Sequence, residues 1–257
     1  MPAETKLFRC LKDNYGVLVH DTASGATAAI DAPDAAPVEA ALKATCWKLT
    51  DILVTHHHAD HTDGIPALKD KYQCRIVDPA EVSSKYSFVD ETVREGDKLK
   101  IGKLAAEVIE TPGHTSGHVS YWFQDDRLAF VGDTLFSIGC GRVIEGTPEM
   151  MWNSLRKLRD LPDDTEIFCG HEYTAANVKF ALTIEPGNKA LAARAAEVAQ
   201  EVAKGRPTIP VTIGAEKQEN PFLRADLPEL ARKLGLPSAK PAEVFAKIRS
   251  GKDTFRG

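Results

Sequence analysis

Residues 51–61 read Asp51-Ile52-Leu53-Val54-Thr55-His56-His57-His58-Ala59-Asp60-His61, a β-branched apolar run that ends in clustered imidazoles and one carboxylate. Side chains alternate along an extended chain, so His56 and His58 fall on one side and His57 on the other. His56 and His58 are thereby placed to share one cation. A turn toward a helix starting near Asp63-Gly64 would carry Asp60 and His61 to a neighbouring position, where they hold a second. Neutral imidazole with carboxylate is the donor set of zinc, and of iron or manganese as oxygen ligands increase. Three adjacent histidines alone read equally well as a solvated loop. The Asp60-His61 continuation directly after a buried strand is what favours a site.

Three later residues stand at strand ends beside glycine, where the backbone can turn a side chain into a pocket. They are His114 in Thr111-Pro112-Gly113-His114, Asp133 in Phe130-Val131-Gly132-Asp133, and His171 in Phe168-Cys169-Gly170-His171. Each singly is an ordinary turn residue; their joint occurrence after the histidine cluster points to one centre. Coordination closes if His56, His58 and His114 hold one ion, Asp60, His61 and His171 hold the other, and Asp133 with a hydroxide bridges them. Two dications less two carboxylates and one hydroxide leave about +1, which attracts anionic substrates and stabilises an oxyanion. The expected chemistry is hydrolysis by the bridging hydroxide, with Asp60 and Asp133 as the carboxylates that organise it.

The elements needed to position these residues are legible upstream of each. Strands are expected at 15–20, 52–55, 75–77, 104–109, 119–123, 128–131 and 167–169, and helices at 35–44, 65–72 and 149–158. After Tyr173 the texture changes to an Ala-rich helix over 190–203, a Pro-punctuated stretch, and short helices near 228–234 and 242–250. A mixed α/β body over residues 1–172 and a small helical domain over 173–257 are therefore expected.

Composition sets the outer limits. With 257 residues, 43% hydrophobic and 27% charged, the chain fits a folded soluble protein. A net charge of -5 without a dense Lys/Arg block argues against nucleic-acid partners. The polar N-terminal segment and the lack of an apolar run long enough to span a bilayer lead to the expectation of a cytoplasmic protein with no membrane partner; a monomer is expected. Cys10, Cys46, Cys74, Cys140 and Cys169 are odd in number and scattered, as reduced thiols are. A nucleophilic pairing of Cys140 with His114 is conceivable, but a metal cluster already provides a nucleophile.

Thr55-His56-His57-His58-Ala59-Asp60-His61 resembles the T-H-x-H-x-D-H signature of the metallo-β-lactamase superfamily. Within it the chain is most similar to the hydroxyacylglutathione hydrolases, the glyoxalase II family. That narrower resemblance rests on Asp13-Asn14-Tyr15, Thr115-Ser116-Gly117-His118, Gly132-Asp133-Thr134-Leu135-Phe136, Gly139-Cys140-Gly141-Arg142, Gly170-His171-Glu172-Tyr173-Thr174, Glu185-Pro186-Gly187-Asn188, Asn220-Pro221-Phe222 and Arg249-Ser250-Gly251-Lys252-Asp253. It implies an αββα sandwich followed by a helical domain that binds glutathione. The implied reaction is hydrolysis of S-(2-hydroxyacyl)glutathione, such as S-D-lactoylglutathione, to glutathione and a 2-hydroxy acid in methylglyoxal detoxification. Two divalent ions, zinc by preference, are implied as cofactors.

By the same resemblance, Arg142, Tyr173, Arg249 and Lys252 bind glutathione. Arg249 and Lys252, three apart, share a helix face if the last helix extends that far. Asp31 and His118 are candidates for orienting ligand imidazoles; hydrogen bonding at a strand end is the equal alternative. The chain departs from many relatives in carrying Ile144 where they carry Tyr, which removes one glutathione hydrogen bond. Two rival readings stay open: a single-iron dioxygenase acting on glutathione persulfide with the same scaffold, and a catalytically silent metal-binding protein.

Overall fold

The computed structural model describes residues 3–81 and 87–257. They divide into two units, Met1–Glu110 with Ser116–Gly132, and Thr111–Thr115 with Asp133–Gly257.

In the first unit, strands β1 (Ala3–Cys10), β2 (Asn14–Asp21), β3 (Thr27–Ile30), β4 (Asp51–Leu53), β5 (Arg75–Pro79) and β6 (Glu91–Val93) lie side by side in chain order. The pairs β1/β2 and β2/β3 are antiparallel, and the later pairs are parallel. Parallel neighbours cannot be joined by a hairpin, so the chain must cross over between them. Helix α1 (Ala35–Thr45) makes the first crossing, and α2 (Ala59–Thr62) with α3 (Ile65–Tyr72) the next. Asp34 starts α1 by accepting the Ala36 N–H, and Cys46 ends it in a left-handed conformation. Val38 and Leu42 of α1 and Leu68 of α3 bury against Ile52 and Ile76 of the sheet.

Strands β7 (Lys98–Ile101), β8 (Leu104–Glu110), β9 (Val119–Phe123) and β10 (Leu128–Gly132) form an antiparallel run in the same unit. Two hydrogen bonds tie it to the first sheet where the histidine segment leaves β4. Tyr121 Oη donates to Val54 O at 2.7 Å, and Val119 N–H donates to Thr55 O at 2.9 Å.

The second unit holds the hairpin β11 (Leu135–Phe136) and β12 (Gly139–Cys140), helix α4 (Pro148–Arg159), strand β13 (Glu166–Cys169) and helices α5 (Thr174–Ile184) and α6 (Lys189–Ala203). Strand β14 (Val211–Thr212), which pairs antiparallel with β13, follows, then α7 (Ile213–Glu219), a 3-10 turn Pro221–Leu223, α8 (Pro228–Lys233) and α9 (Pro241–Thr254). Thr147 caps α4 by accepting the Met150 N–H, with Pro148 in the first helical position. Ile138, Val178, Ala181, Leu191 and Val198 form a core of this unit.

Every expected element is present, α3 and β9 with the expected ends and the others with shifted ones. β4 stops at Leu53 rather than 55, because Thr55 and His56 form no ladder and instead engage side chains. Several elements lay outside the expectation, among them strands Ala3–Cys10, Thr27–Ile30, Glu91–Val93 and Lys98–Ile101 and helices Thr174–Ile184 and Ile213–Glu219; the first two strands show why. The first is an edge strand with mostly polar positions, and the second is only four residues long with two alanines at its centre, so neither shows a strong strand pattern. Thr111–Thr115 pack with Asp133–Gly257, and the β11–β12 hairpin is bonded to the C-terminal segments through Asn220 and Arg249.

Candidate metal centre and substrate site

The first unit carries four of the seven candidate ligands, His56, His58, Asp60 and His61. After β4 the chain runs without helix or strand to His58, itself extended, then turns into α2, which carries Asp60 and His61. His56 Nε2 and His58 Nδ1 face each other at 3.1 Å. Asp31 sits in the left-handed region at φ +56 beyond β3, and its carboxylate organises the segment. It accepts the Thr55 N–H at 2.7 Å, the Thr55 hydroxyl at 2.8 Å and the His61 Nδ1–H at 2.8 Å.

These bonds fix proton positions. The Thr55 hydroxyl hydrogen is committed to Asp31, so Thr55 Oγ1, 3.0 Å from His56 Nδ1, accepts from that ring. A carboxylate likewise only accepts, so His61 carries its proton on Nδ1. Both rings then present a bare Nε2 lone pair, the form required of a metal ligand. Asp31, His56 and His61 offer ligand atoms within 4.8 Å of one another. Asp60 Oδ2 stands 3.8 Å from His61 Nε2 and is held by Asn14, whose Nδ2 donates to both Asp60 O and Oδ2 at 3.0 Å.

His118 stacks on His56 with centroids 5.0 Å apart. Gly132, at φ +46, lies so close beneath that a Cβ would come within 2.6 Å of both His118 Nε2 and Thr55 Oγ1. Only glycine satisfies both the backbone angle and that approach.

The second unit carries the remaining three, His114, Asp133 and His171. Asp133 Oδ2 lies 3.5 Å from His114 Nε2 and 3.3 Å from His171 Nε2, so a single carboxylate oxygen faces two imidazoles. His114 Nδ1 is 2.9 Å from Arg142 O; a carbonyl only accepts, so this ring also turns an unprotonated Nε2 toward Asp133. His171 stacks on Tyr173, with centroids 4.8 Å apart and planes 3° from parallel, and Phe136 meets both rings edge-on. His114, Asp133 and His171 are all at least 94% buried.

These donors fit divalent cations. Imidazole nitrogens with fixed lone pairs and carboxylate oxygens are hard-to-borderline ligands, and none of the described thiols joins them. Cys140 is buried and its thiol is pushed up to about 11 by desolvation, so it is protonated at neutral pH and unsuited to act as a nucleophile.

The four residues expected to bind substrate are all in the second unit. Arg142 is exposed, and Tyr173 is 38% exposed. α9 does extend past both basic residues. Arg249 is buried, donating to Cys140 O at 2.8 Å, pairing with Asp253 at 2.9 Å and stacking over Phe222. Lys252 donates to Ala176 O at 2.8 Å beside Phe180 and Phe255, and burial lowers its pKa. Ile144 is 51% exposed. Sequence reasoning missed the roles of Asn14 and Thr55, although both lie in motifs quoted above. Their signal is an amide or hydroxyl next to a ligand segment, which many turns share.

Comparison with known proteins agrees with the geometry. The family model described as "Metallo-beta-lactamase superfamily" matches residues 11–171, and that described as "Hydroxyacylglutathione hydrolase C-terminus" matches residues 172–255. A protein named hydroxyacylglutathione hydrolase from Rhodopseudomonas palustris (strain BisB5) is 60% identical over 253 residues, 98% of this chain and 99% of that protein. Among solved structures, ETHE1 from Myxococcus xanthus aligns with a TM-score of 0.66 at 27% identity, covering 98% of each chain. A protein solved in a di-iron-bound form aligns with a TM-score of 0.61 at 21% identity over 85% of this chain and 99% of its own, which speaks for the fold. The chain belongs to the metallo-β-lactamase superfamily and, within it, to the hydroxyacylglutathione hydrolase family.

Proposed function

We propose that this protein hydrolyses S-(2-hydroxyacyl)glutathione thioesters at a dinuclear metal centre. The observation that carries the reading is that His56, His61 and His114 each have Nδ1 committed to an oxygen acceptor and turn an unprotonated Nε2 toward another candidate ligand: His58, Asp60 and Asp133 respectively. In this reading His56, His58 and His114 would hold one ion, Asp60, His61 and His171 would hold the other, and Asp133 would serve both. When bound, two divalent ions supply Lewis acidity and lower the pKa of water from about 16 to about 7.

The protein's own groups then orient the reactants. Arg142, Tyr173, Arg249 and Lys252 hold the glutathione moiety, with the cationic groups facing its carboxylates. The buried carboxylate of Asp133 and the fixed imidazoles keep the centre rigid, so little reorganisation is needed as charge develops on the carbonyl oxygen. In the net reaction the carbonyl C–S bond breaks, a C–O bond to water's oxygen forms, and the proton balance leaves a free thiol and a 2-hydroxy acid.

Support for the substrate comes from the relative that is 60% identical along 98% of the chain. Zinc is the favoured ion, with iron or manganese alternatives. The division of labour assigns catalysis to residues 1–172, which also contribute Arg142 to substrate binding, and the rest of the glutathione-binding set to 173–257. No helix among the described residues is long and apolar enough to cross a membrane; a cytoplasmic monomer is part of the proposal.

The test follows loss of S-D-lactoylglutathione absorbance while metal is quantified in the same preparation. Turnover with about two ions per chain is expected. Metal-replete protein that cleaves no glutathione thioester would overturn the reading, as would dioxygen uptake with glutathione persulfide at one iron per chain.

A further inference from the structure

The hairpin of β11 and β12 closes through Ser137 and Ile138, and Ile138 has a backbone φ of +57. A β-branched residue in the left-handed region is a genuine outlier, because its Cβ crowds the following carbonyl. Such a conformation persists only where its surroundings over-determine it. Here they do. Both Glu216 oxygens lie within hydrogen-bond distance of the Ile138 N–H, at 3.0 and 2.9 Å. Asn220, one turn further along from Glu216, donates to Glu216 Oε2 at 2.8 Å and to Gly139 O at 3.0 Å. Asn177 donates to Ser137 O at 3.1 Å, and packs so closely that a Cβ at Gly139 would overlap its amide. The Ile138 side chain is wholly buried among Val178, Leu191 and Val198.

What this turn holds matters more than the turn itself. Asp133 precedes the hairpin by one residue beyond Thr134. Arg142 follows it, and its carbonyl fixes the proton of His114. Phe136 inside the hairpin lies edge-on to His171. One ten-residue segment thus bears on three candidate ligands, and its tip is gripped by a buried carboxylate with no substrate-binding or metal-binding assignment.

We infer that Glu216 is a positioning residue for the metal centre: by holding the Ile138 N–H it fixes the hairpin that aims Asp133 and His114. This rests on the reading of those two residues as ligands. Glu216 is fully buried, and desolvation raises its pKa to about 7. An acid kept there at that cost, bonded to a strained turn rather than to a cation, is consistent with a structural demand at the hairpin. Sequence reasoning passed over it, since an acid in a short helix ordinarily faces water.

The experiment uses the full chain loaded with cobalt(II), in wild type, Glu216→Gln and Glu216→Ala, each checked for folding by circular dichroism. Cobalt affinity is measured by chelator competition, the ligand-field spectrum is recorded, and kcat and KM are determined for S-D-lactoylglutathione. Glu216→Ala is expected to lose about 10–100-fold in affinity for at least one ion, to shift the spectrum, and to lower kcat by a similar factor with KM changed less than about 3-fold. Glu216→Gln, which keeps one oxygen to accept the Ile138 N–H, is expected to fall between the two. Wild-type protein that binds no cobalt overturns the metal reading itself. Wild-type binding with a folded variant of unchanged affinity and spectrum overturns the positioning role, even if that variant melts lower. If Glu216→Ala does not fold, Glu216→Gln decides by the same two readouts.

Discussion

Asp31 Oδ2 lies 2.8 Å from His61 Nδ1, and the same carboxylate takes both the N–H and the hydroxyl of Thr55. One acid, 30 residues from His61 in the chain, therefore sets the tautomer of His61 directly and that of His56 through Thr55. Replacing it with alanine frees both rings to rotate and to reprotonate. Asp31→Ala is expected to weaken metal binding about 10–100-fold, read by chelator competition. Unchanged affinity would show that the bonds to Asp31 do not orient the ligands.

Asp133 faces His114 and His171 with one oxygen. Asp133→Ala removes that oxygen and leaves two imidazoles without the carboxylate between them. Metal content is expected to fall from about two to about one ion per chain and kcat by at least about 100-fold. Retention of both ions, by elemental analysis after dialysis, would argue against a bridge.

Lys252 is a cation on α9, with Ala176 O and two aromatic rings beside it. If it binds a glutathione carboxylate, it does so equally in the ground and transition states. Lys252→Ala is then expected to raise KM about 10-fold or more while kcat stays within about 2-fold. A fall in kcat at constant KM would remove it from the binding set.

Asp78 is wholly buried at the end of β5, and among the described residues neither carboxylate oxygen has a hydrogen-bond partner. Burial first, and Asp31 second, push its pKa from 3.8 to about 7. Between those values the folded protein keeps a proton that the unfolded chain has released. The contribution of Asp78 to stability is therefore full below about pH 4 and is lost as pH rises through about 7. Asp78→Asn is expected to leave the melting temperature nearly unchanged at pH 4.5 and to raise it by roughly 5 °C at pH 8. Parallel wild-type and variant melting curves across that range would contradict the assignment.

Much of the centre could be read locally. The period-two alternation of His56 and His58, the placement of Asp60 and His61 beyond a turn, and the glycine-flanked His114, Asp133 and His171 all follow from short stretches of chain. So do the helices whose caps and apolar spacing lie within their own residues, such as α1 and α4. Strands Ala3–Cys10 and Thr27–Ile30 escaped because what makes them strands is the neighbour each pairs with.

The sequence by itself determined which donors are present, in which order and on what kind of element, since those depend on residue type and spacing of a few residues. Tertiary structure alone decided which nitrogen of His56, His61 and His114 carries the proton, and how an isoleucine at φ +57 is held in place. The reason is distance along the chain: Arg142 O reaches His114 from 28 residues away, and Glu216 reaches Ile138 from 78. A hydrogen bond between such partners has no local signature, because either residue would look the same with water in the other's place.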